Sequence, residues 1–518
     1  MTDPSSSFEY DRVAYPGVAD QSIHLRNLEV TATMFGAQPA NLNQCRVLEI
    51  GCADGANMLP YAHQFPTSRF VGIDLAKDRI RVASEIADEV GIENATFHCA
   101  NIVDIDKSIG TFDFILCPGV FSWVGDEERQ AILRVCRECL APDGIAAISY
   151  NVRPGWNWND SVRDFIRDAV RTIDDPQQQI AAARNAVEFL AANGPSQAIH
   201  SAYYQRACDR LRSQSDTYLY HDYITDQNRP FYFREFAEMA DVHSLKFLGE
   251  ADFRHSSGFG LDMNGRAAVA QTPPAHRETL LDFLLNTGYR SSMLCHKGCT
   301  LQPRVQHEWV AQLQLALFDP MDGVTFDLSS GLPLTLPLDG GVVTVTDPGV
   351  KAALRHLMDR WPQTVSVEQL FAAVRDFTTG LPPDETAIDG PESLAQTMLA
   401  FYGAGLVRPF KSVPPWNDEV TDRCQASPVV RAAAARGLGI VNQWHQNIRH
   451  LSSGQRKLLS LLDGTRDVKT LASMIAADDT LKSDVAMTSD GVSTQGEFGI
   501  EAIAKTLHWF AKKRLLVN

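Results

Sequence analysis

Glu49, Gly51, Gly55 and Asp74 are the residues of this chain whose types and spacing can hold a nucleoside-bearing ligand. Residues 47–50, Val-Leu-Glu-Ile, form an apolar run broken by one acid, the pattern of a buried parallel strand. The run enters Gly51-Cys52-Ala53-Asp54-Gly55, where small residues let the backbone turn tightly and approach a ligand. Residues 56–65 read as a helix whose N-terminus faces that loop, and residues 70–73 as a second strand ending in Asp74. An acid at the tip of the second strand of a β-α-β unit accepts hydrogen bonds from ribose hydroxyls. A dinucleotide site would carry Gly-x-Gly-x-x-Gly and seat a pyrophosphate on the helix N-terminus. Here Ala53 replaces the middle glycine and no third glycine follows Gly55 within the turn. Glu49 would repel a pyrophosphate but suits a cationic ligand.

The elements that must position these residues follow in order. Lys77–Val90 is an amphipathic helix, and Ala95–Cys99 a third strand leading to Asn101 and Ile102. Phe112–Cys117 is a fourth strand, followed by Pro118-Gly119-Val120-Phe121-Ser122-Trp123. Residues 126–140 read as a helix with Asp126 as its N-cap and Arg129 on its wet face. A fifth strand, 145–150, follows the Pro142-Asp143-Gly144 turn. Strands alternating with helices imply a doubly wound α/β sheet that binds ligands at the strand C-terminal ends. Those ends carry Glu49, Gly51, Asp74, Asn101, Pro118, Gly119, Tyr150 and Asn151, which share one crevice. Leu245–Glu250 and Tyr289–His296 read as two more strands, completing a seven-stranded Rossmann-like sheet with an antiparallel last strand. Beyond residue 340, helices at 350–361, 367–374 and 391–402 end in a strand-like 405–409. A similar order recurs at 453–462, 468–476 and 500–510, ending at 514–517, so the C-terminal region reads as mainly helical and winged-helix-like. The acidic segment 478–497 is expected to be a mobile loop.

At 518 residues the chain should hold two to four domains. No apolar stretch reaches the roughly 20 residues of a membrane-spanning helix, and the N-terminus lacks a signal peptide's basic and apolar blocks. Ten scattered cysteines in apolar segments suit buried thiols in a reducing cytoplasm. Cys136-x-x-Cys139 reads as a core-facing helix, and metal is the minority reading of the Cys295–Cys299 pair, so no metal is expected. A net charge of −16 argues against a general nucleic-acid binder. Around 397–403 the first helical unit has no lysine or arginine, while Lys505, Lys512 and Lys513 in the second suit a solvated face. Packing, homodimerisation or substrate docking is the expected role of these units.

The Glu-x-Gly-x-x-x-Gly run with Asp74 resembles motifs I and II of class I S-adenosylmethionine (SAM) methyltransferases. Glu49–Asn57, Gly119–Val124 and Ser149-Tyr150-Asn151-x-x-Pro154-Gly155-Trp156 together resemble a bacterial group carrying a methyltransferase regulatory domain. That group includes lysine methyltransferases of outer-membrane proteins. His221-Asp222-Tyr223, Pro230-x-Tyr232-Phe233-x-x-Phe236, Leu245-x-x-Leu248-Gly249-Glu250-Ala251 and Tyr289-Arg290-x-x-x-Leu294-Cys295-His296 resemble its regulatory segment. The resemblance implies a lid segment over 1–44, a SAM-binding core over 45–158 and a helical insertion with regulatory segment over 159–300. Winged-helix-like domains would follow at 301–415 and 416–518. Members usually carry His at the position of Pro118, and a Pro- and His-rich stretch in place of residues 15–20. Both departures bear on the methyl acceptor and leave the cofactor untouched.

What the resemblance implies about the site can be given residue by residue. Gly51, Cys52, Ala53, Gly55 and Asn57 form the cofactor loop, with Glu49 near the methionine moiety, directly or through water, or simply fixing the loop. Asp74 takes the ribose, Leu75 packs on the adenine and Ile102 lies below the ring. Asn101 offers its amide to the adenine edge or simply caps its strand, and Pro118, Gly119 and Val120 complete the cofactor contacts. Tyr10, Tyr15, Trp123, Asn151 and Trp156 line a substrate pocket, the two tyrosines as part of a lid. Trp123, Tyr150 and Trp156 suit a sulfonium or an ammonium through cation–π attraction, or core packing. Tyr150, His221, Asp222 and Tyr223 are the candidate catalytic proton relay. A lysine ammonium, with an unperturbed pKa near 10.4, loses its proton more readily in a dry aromatic pocket. The leading expectation is a cytoplasmic SAM-dependent methyltransferase of protein lysine. A small-molecule O- or N-methyltransferase and a non-catalytic SAM-binding scaffold are the alternatives. DNA adenine methylation is disfavoured, because Cys117-Pro118-Gly119-Val120 replaces Asn/Asp-Pro-Pro-Tyr/Phe.

Overall fold

The computed structural model describes residues 12–517 apart from 14, 16, 194–197, 303, 304, 306, 322, 326, 329–331, 339, 340, 380–385, 415–418, 479–485, 488–492 and 495–498. Most of the acidic segment 478–497, and Tyr10, therefore lie outside the described residues.

Helix α1 (Leu25–Met34) precedes a sheet built from β1 (Arg46–Ile50), β2 (Arg69–Asp74), β3 (Ala95–Cys99), β4 (Phe112–Cys117), β5 (Leu140–Asn151), β6 (Leu245–Glu250) and β7 (Tyr289–His296). Spatial order is β3-β2-β1-β4-β5-β7-β6. The first five strands run parallel, and β7 lies antiparallel between β5 and β6. Chain order reverses between β1 and β4, which opens the crevice beyond their C-terminal ends. Both faces of the sheet are covered, which explains the nearly continuous apolar text of its strands. Leu48, Ile50, Ile115 and Ile148 pack with α4 (Asp126–Cys139) and α8 (Phe233–Val242). Val47, Phe70, Phe114 and Ala147 pack on the other face with α1 and α2 (Leu59–Gln64). Helix α3 (Lys77–Val90) links β2 to β3.

Two readings of α4 are corrected. Gly125 occupies the N-cap and Asp126 is the first helical residue, where its carboxylate pairs with Arg129 and Arg229. Arg129 is not on a wet face: it is 4% exposed, donates Nε–H to the Phe121 carbonyl and lies over the Phe231 ring. The cover comes from a segment 100 residues downstream, which helix periodicity cannot register.

Between β5 and α8, helices α5 (Asn157–Val170), α6 (Pro176–Asn193) and α7 (Ile199–Arg212) form a separate core. A π-helical turn, Tyr220–Ile224, closes it. Helix α9 (Pro274–Leu285) then packs beside β7 around a buried ion cluster. There Arg290 contacts Glu250 at 2.6 Å, Asp282 at 2.9 Å and Glu278 at 3.1 Å. An ion group this dry fixes geometry more than it adds stability.

The C-terminal half holds two further cores. Helices Pro348–Arg360, Val367–Thr378 and Pro391–Gly403 precede strand Val407–Phe410, which pairs with Gln314–Leu317. Their core takes in Val30 and Met34 of α1. The second core contains Ser453–Leu461, Val468–Ala476 and Ile500–Lys512. An unforeseen helix, α10 (Pro428–Ala435), places Val429 and Ala432 against Leu59, Ile86 and Ala87, fastening this core to the flank of the sheet domain. Among the described residues no helix is long and apolar enough to cross a membrane.

Candidate active site

The loop after β1 takes positive φ at Gly51 (+77°), Ala53 (+44°) and Gly55 (+77°). At Gly51 this conformation needs glycine twice over, since a Cβ there would lie 2.4 Å from Val120 Cγ2. The loop is sewn to β2: the Gly51 and Cys52 amides donate to the Ile73 carbonyl at 2.8 and 3.1 Å. Asp74 accepts from Ala53 N and Ala76 N, both at 2.8 Å, one bond to each oxygen. Burial pushes the Asp74 carboxyl above its usual range, and these amides oppose the shift. Cys52 turns its sulfur inward beside Gly72, so it offers the crevice only backbone. Leu75, 46% exposed, stands beside Asp74 at the rim. Asn101 caps the turn at 102–104, its oxygen accepting from Val103 N at 3.1 Å, and Ile102 is buried beneath. Above Gly119 (φ +61°) a Cβ would meet nothing within 4 Å among the described residues, and its amide donates to Ser149 Oγ at 2.7 Å.

Glu49 is buried at the root of this loop. Burial pushes its carboxyl up to about 8, Asp74 and Asp54 add to the rise, and hydrogen bonding from the Asn57 amide opposes it. Among the described residues, Glu49 Oε2 and Asn57 Nδ2 are nonetheless both buried without a fully formed hydrogen bond. Residues 17–20 pass directly over the loop. Gly17 N donates to Asp54 Oδ2 at 3.3 Å and Asp20 N to Asn57 Oδ1 at 3.1 Å. From above, Asn447 brackets Ala19, accepting from its N–H at 2.9 Å and donating to its carbonyl at 2.7 Å.

Beyond Gly119 the crevice is lined by groups far apart in sequence. Tyr289, the first residue of β7, pairs in register with Asn151, the last residue of β5. Its hydroxyl donates to Asp20 Oδ2 at 3.0 Å, with Ser149 a further hydrogen-bond partner. Asp20 Oδ1 is held by Ser22 N at 3.0 Å and Ser22 Oγ at 2.6 Å. Tyr15 stands edge-on to His221, ring centroids 5.1 Å apart.

Several expected roles are redistributed. Tyr150 is corrected from catalytic to core: it stacks on Phe236 at 4.1 Å, its hydroxyl bonds Ser292 Oγ at 3.0 Å, and strand parity points it away from the Ser149 face. Tyr223 is likewise corrected, accepting from Arg210 at 2.6 Å inside the insertion core. Asp222 faces Tyr218, Arg210 and Arg163, and burial lifts its carboxyl to about 7. His221 turns toward the N-terminal segment, its Nε2 bonding the Val13 carbonyl at 2.7 Å. Asn151 is buried, its backbone N–H donating to Ser122 Oγ at 2.9 Å and its side-chain Nδ2 to Asn228 Oδ1 at 3.0 Å, the contacts of a brace. Trp123 and Trp156 meet edge to face at 6.3 Å. Sequence reasoning missed Asp20, Ser149, Tyr289 and His445. Tyr289 had a signal, because the first residue of an antiparallel last strand must sit at the crevice end.

Residues 47–144 match a family model described as methyltransferase domain, 215–296 one for a predicted methyltransferase regulatory domain, and 422–511 one for the C-terminal winged-helix domain of PKMT. Protein RP028 of Rickettsia prowazekii (strain Madrid E), uncharacterised, is 31% identical over 249 residues, covering 48% of this chain and 100% of that protein. The chain belongs to the class I SAM-dependent methyltransferases that carry a methyltransferase regulatory domain. RP789 of the same organism, also uncharacterised, is 27% identical over 515 residues, 96% of this chain and 90% of its own length. The structure of PKMT2 from Rickettsia typhi in complex with AdoHcy, the demethylated form of SAM, superposes with a TM-score of 0.81 at 24% identity, covering 97% of this chain and 100% of that one. At that identity the likeness speaks for the fold. SAM is the cofactor of this class, and the crevice suits it. The orphaned Glu49 Oε2 and Asn57 Nδ2 lie at one part of the loop, Asp74 at another, and open space above Gly119 lies beside them.

Proposed function

We propose that this methyltransferase acts on lysine side chains of a protein substrate in a cytoplasmic setting. The observation that carries the reading is the Asp20–Tyr289 pair, a carboxylate joined to an aromatic hydroxyl beside the open floor at Gly119. That combination recognises an amine, first as an ammonium through charge and ring face. The match of 422–511 to the PKMT winged-helix model supports the same acceptor class.

On this reading Asp74 would accept from the ribose hydroxyls, Leu75 and Ile102 would flank the adenine, and the Asn101 turn would meet its edge. Glu49 and Asn57 receive the methionine end, where an ammonium returns Glu49 to its ionised form. When bound, SAM supplies a methyl group as an electrophile. The chain must then align an uncharged amine with that methyl and keep water out. Tyr15 and the segment above the loop close the crevice. Tyr289 Oη passes the ammonium proton toward Asp20, whose other oxygen is pinned by Ser22. Asp20 would hold that proton and release it to solvent, leaving an uncharged amine whose lone pair could take the methyl group that bound SAM would supply.

Labelled-methyl transfer from SAM into a whole lysate, separated into protein, nucleic-acid and small-molecule fractions, tests the class of acceptor. Label in the protein fraction is expected. Label confined to small molecules would replace the reading with a small-molecule methyltransferase.

A further inference from the structure

Asn57 Oδ1 receives two N–H donors, Asp20 N at 3.1 Å and Nε2 of His445 at 2.7 Å. Two donors at one end of an amide require that end to be oxygen, so the Asn57 NH2 must face Glu49. The same logic fixes the histidine tautomer, with hydrogen on Nε2. His445 arrives from 388 residues away, on a tight turn of the C-terminal domain. Asn442 Oδ1 builds that turn, accepting from Trp444 N at 2.9 Å and Gln446 N at 2.8 Å. The turn holds His445 at φ +64°, a costly conformation for a residue other than glycine. Its buried ring stacks on Tyr61 of α2 at 4.0 Å with planes 12° apart, and stands edge-on to His24 at 5.2 Å. Burial holds the imidazole well below its usual range, at about 3, so it is a neutral single donor.

We infer that His445 is a positioning residue of the cofactor pocket: through Asn57 it aims an amide donor at Glu49 and so sets affinity for the amino-acid end of SAM. The inference rests on the cofactor reading above. It makes the C-terminal domain part of the pocket rather than only a docking module. Every contact read from sequence precedes this domain, yet Asn447 on its next strand also clamps Ala19 above the loop.

Calorimetry with two probes tests it, AdoHcy and 5′-methylthioadenosine, which shares the nucleoside and thioether but lacks the amino acid. His445→Asn suits φ +64° but is too short to reach Asn57; His445→Gln reaches it. His445→Gly, free of strain at this φ, is read beside them so that a folding defect in one variant does not decide the matter. Asn and Gly should weaken AdoHcy about tenfold or more, Gln should stay within about threefold, and methylthioadenosine should be unchanged throughout. Unchanged AdoHcy affinity in folded Asn or Gly variants overturns the inference. So does a loss of equal size for methylthioadenosine, which would mean that the ring acts by packing alone. Wild-type protein that binds neither probe would instead sink the cofactor reading itself.

Discussion

Glu49→Gln gives the sharpest view of the pocket's electrostatics. The carboxyl is buried, and with Asp74 and Asp54 nearby its pKa reaches about 8 in the open pocket. At pH 7 roughly nine in ten copies are then protonated. A ligand ammonium requires the carboxylate, so AdoHcy binding at pH 7 should release about 0.9 proton, and affinity should rise nearly tenfold between pH 6 and 7 before levelling above 8. Titration in two buffers of different ionisation enthalpy reads the proton directly. Glu49→Gln should abolish both the buffer dependence and the pH slope. The sign for stability runs the other way: an acid whose folded pKa is raised costs stability as pH climbs from its unfolded value toward the folded one. The glutamine variant should therefore be more stable without ligand, by on the order of 3 kcal/mol at pH 7. Wild-type binding with equal affinity at pH 6 and 7, and a heat independent of buffer, would refute the reasoning.

Asp74→Ala should lose its ribose bonds and also free the Ala53 and Ala76 amides, weakening AdoHcy by about 2–4 kcal/mol in calorimetry. Gly55→Val should lower the melting temperature markedly, because φ is +77° and its Cβ would press on Leu59 and Phe97 at 3.1–3.2 Å; Gly119→Ala, strained by its φ of +61° but meeting no described neighbour, should lose less, and equal melting temperatures for the two would contradict this. Tyr289→Phe should cut methyl transfer roughly a hundredfold while leaving AdoHcy affinity and melting temperature near wild type, a split that stopped-time assays beside calorimetry can resolve.

The sequence made the β1–loop–β2 unit legible because every part of it is local: the strand, the glycines and Asp74 lie within 29 residues, 46 to 74. The seven strands and the antiparallel direction of the last were legible too, since doubly wound connections leave few choices. Tyr150 was not, because β5 is covered on both faces and its apolar text carries no phase to separate Ser149 from Tyr150. Arg129 failed for a related reason, its shield being Phe231 rather than anything on its own helix. The contact proposed for the acceptor end, Asp20 to Tyr289, spans 269 residues, and the one between Asn57 and His445 spans 388. No spacing rule reaches that far. Helix α10 is alanine-rich, and only the facing surface of α2 and α3 shows why it is apolar there.

The claim that the acceptor is a lysine amine is tested most directly by acid hydrolysis of protein labelled with the SAM methyl group, followed by amino-acid analysis. Recovery of the label as methylated lysine, absent when Asp74→Ala replaces the wild-type enzyme, is the expected result. Label that leaves as volatile methanol under mild base, the mark of a carboxyl ester, or that stays with a residue other than lysine, would contradict it.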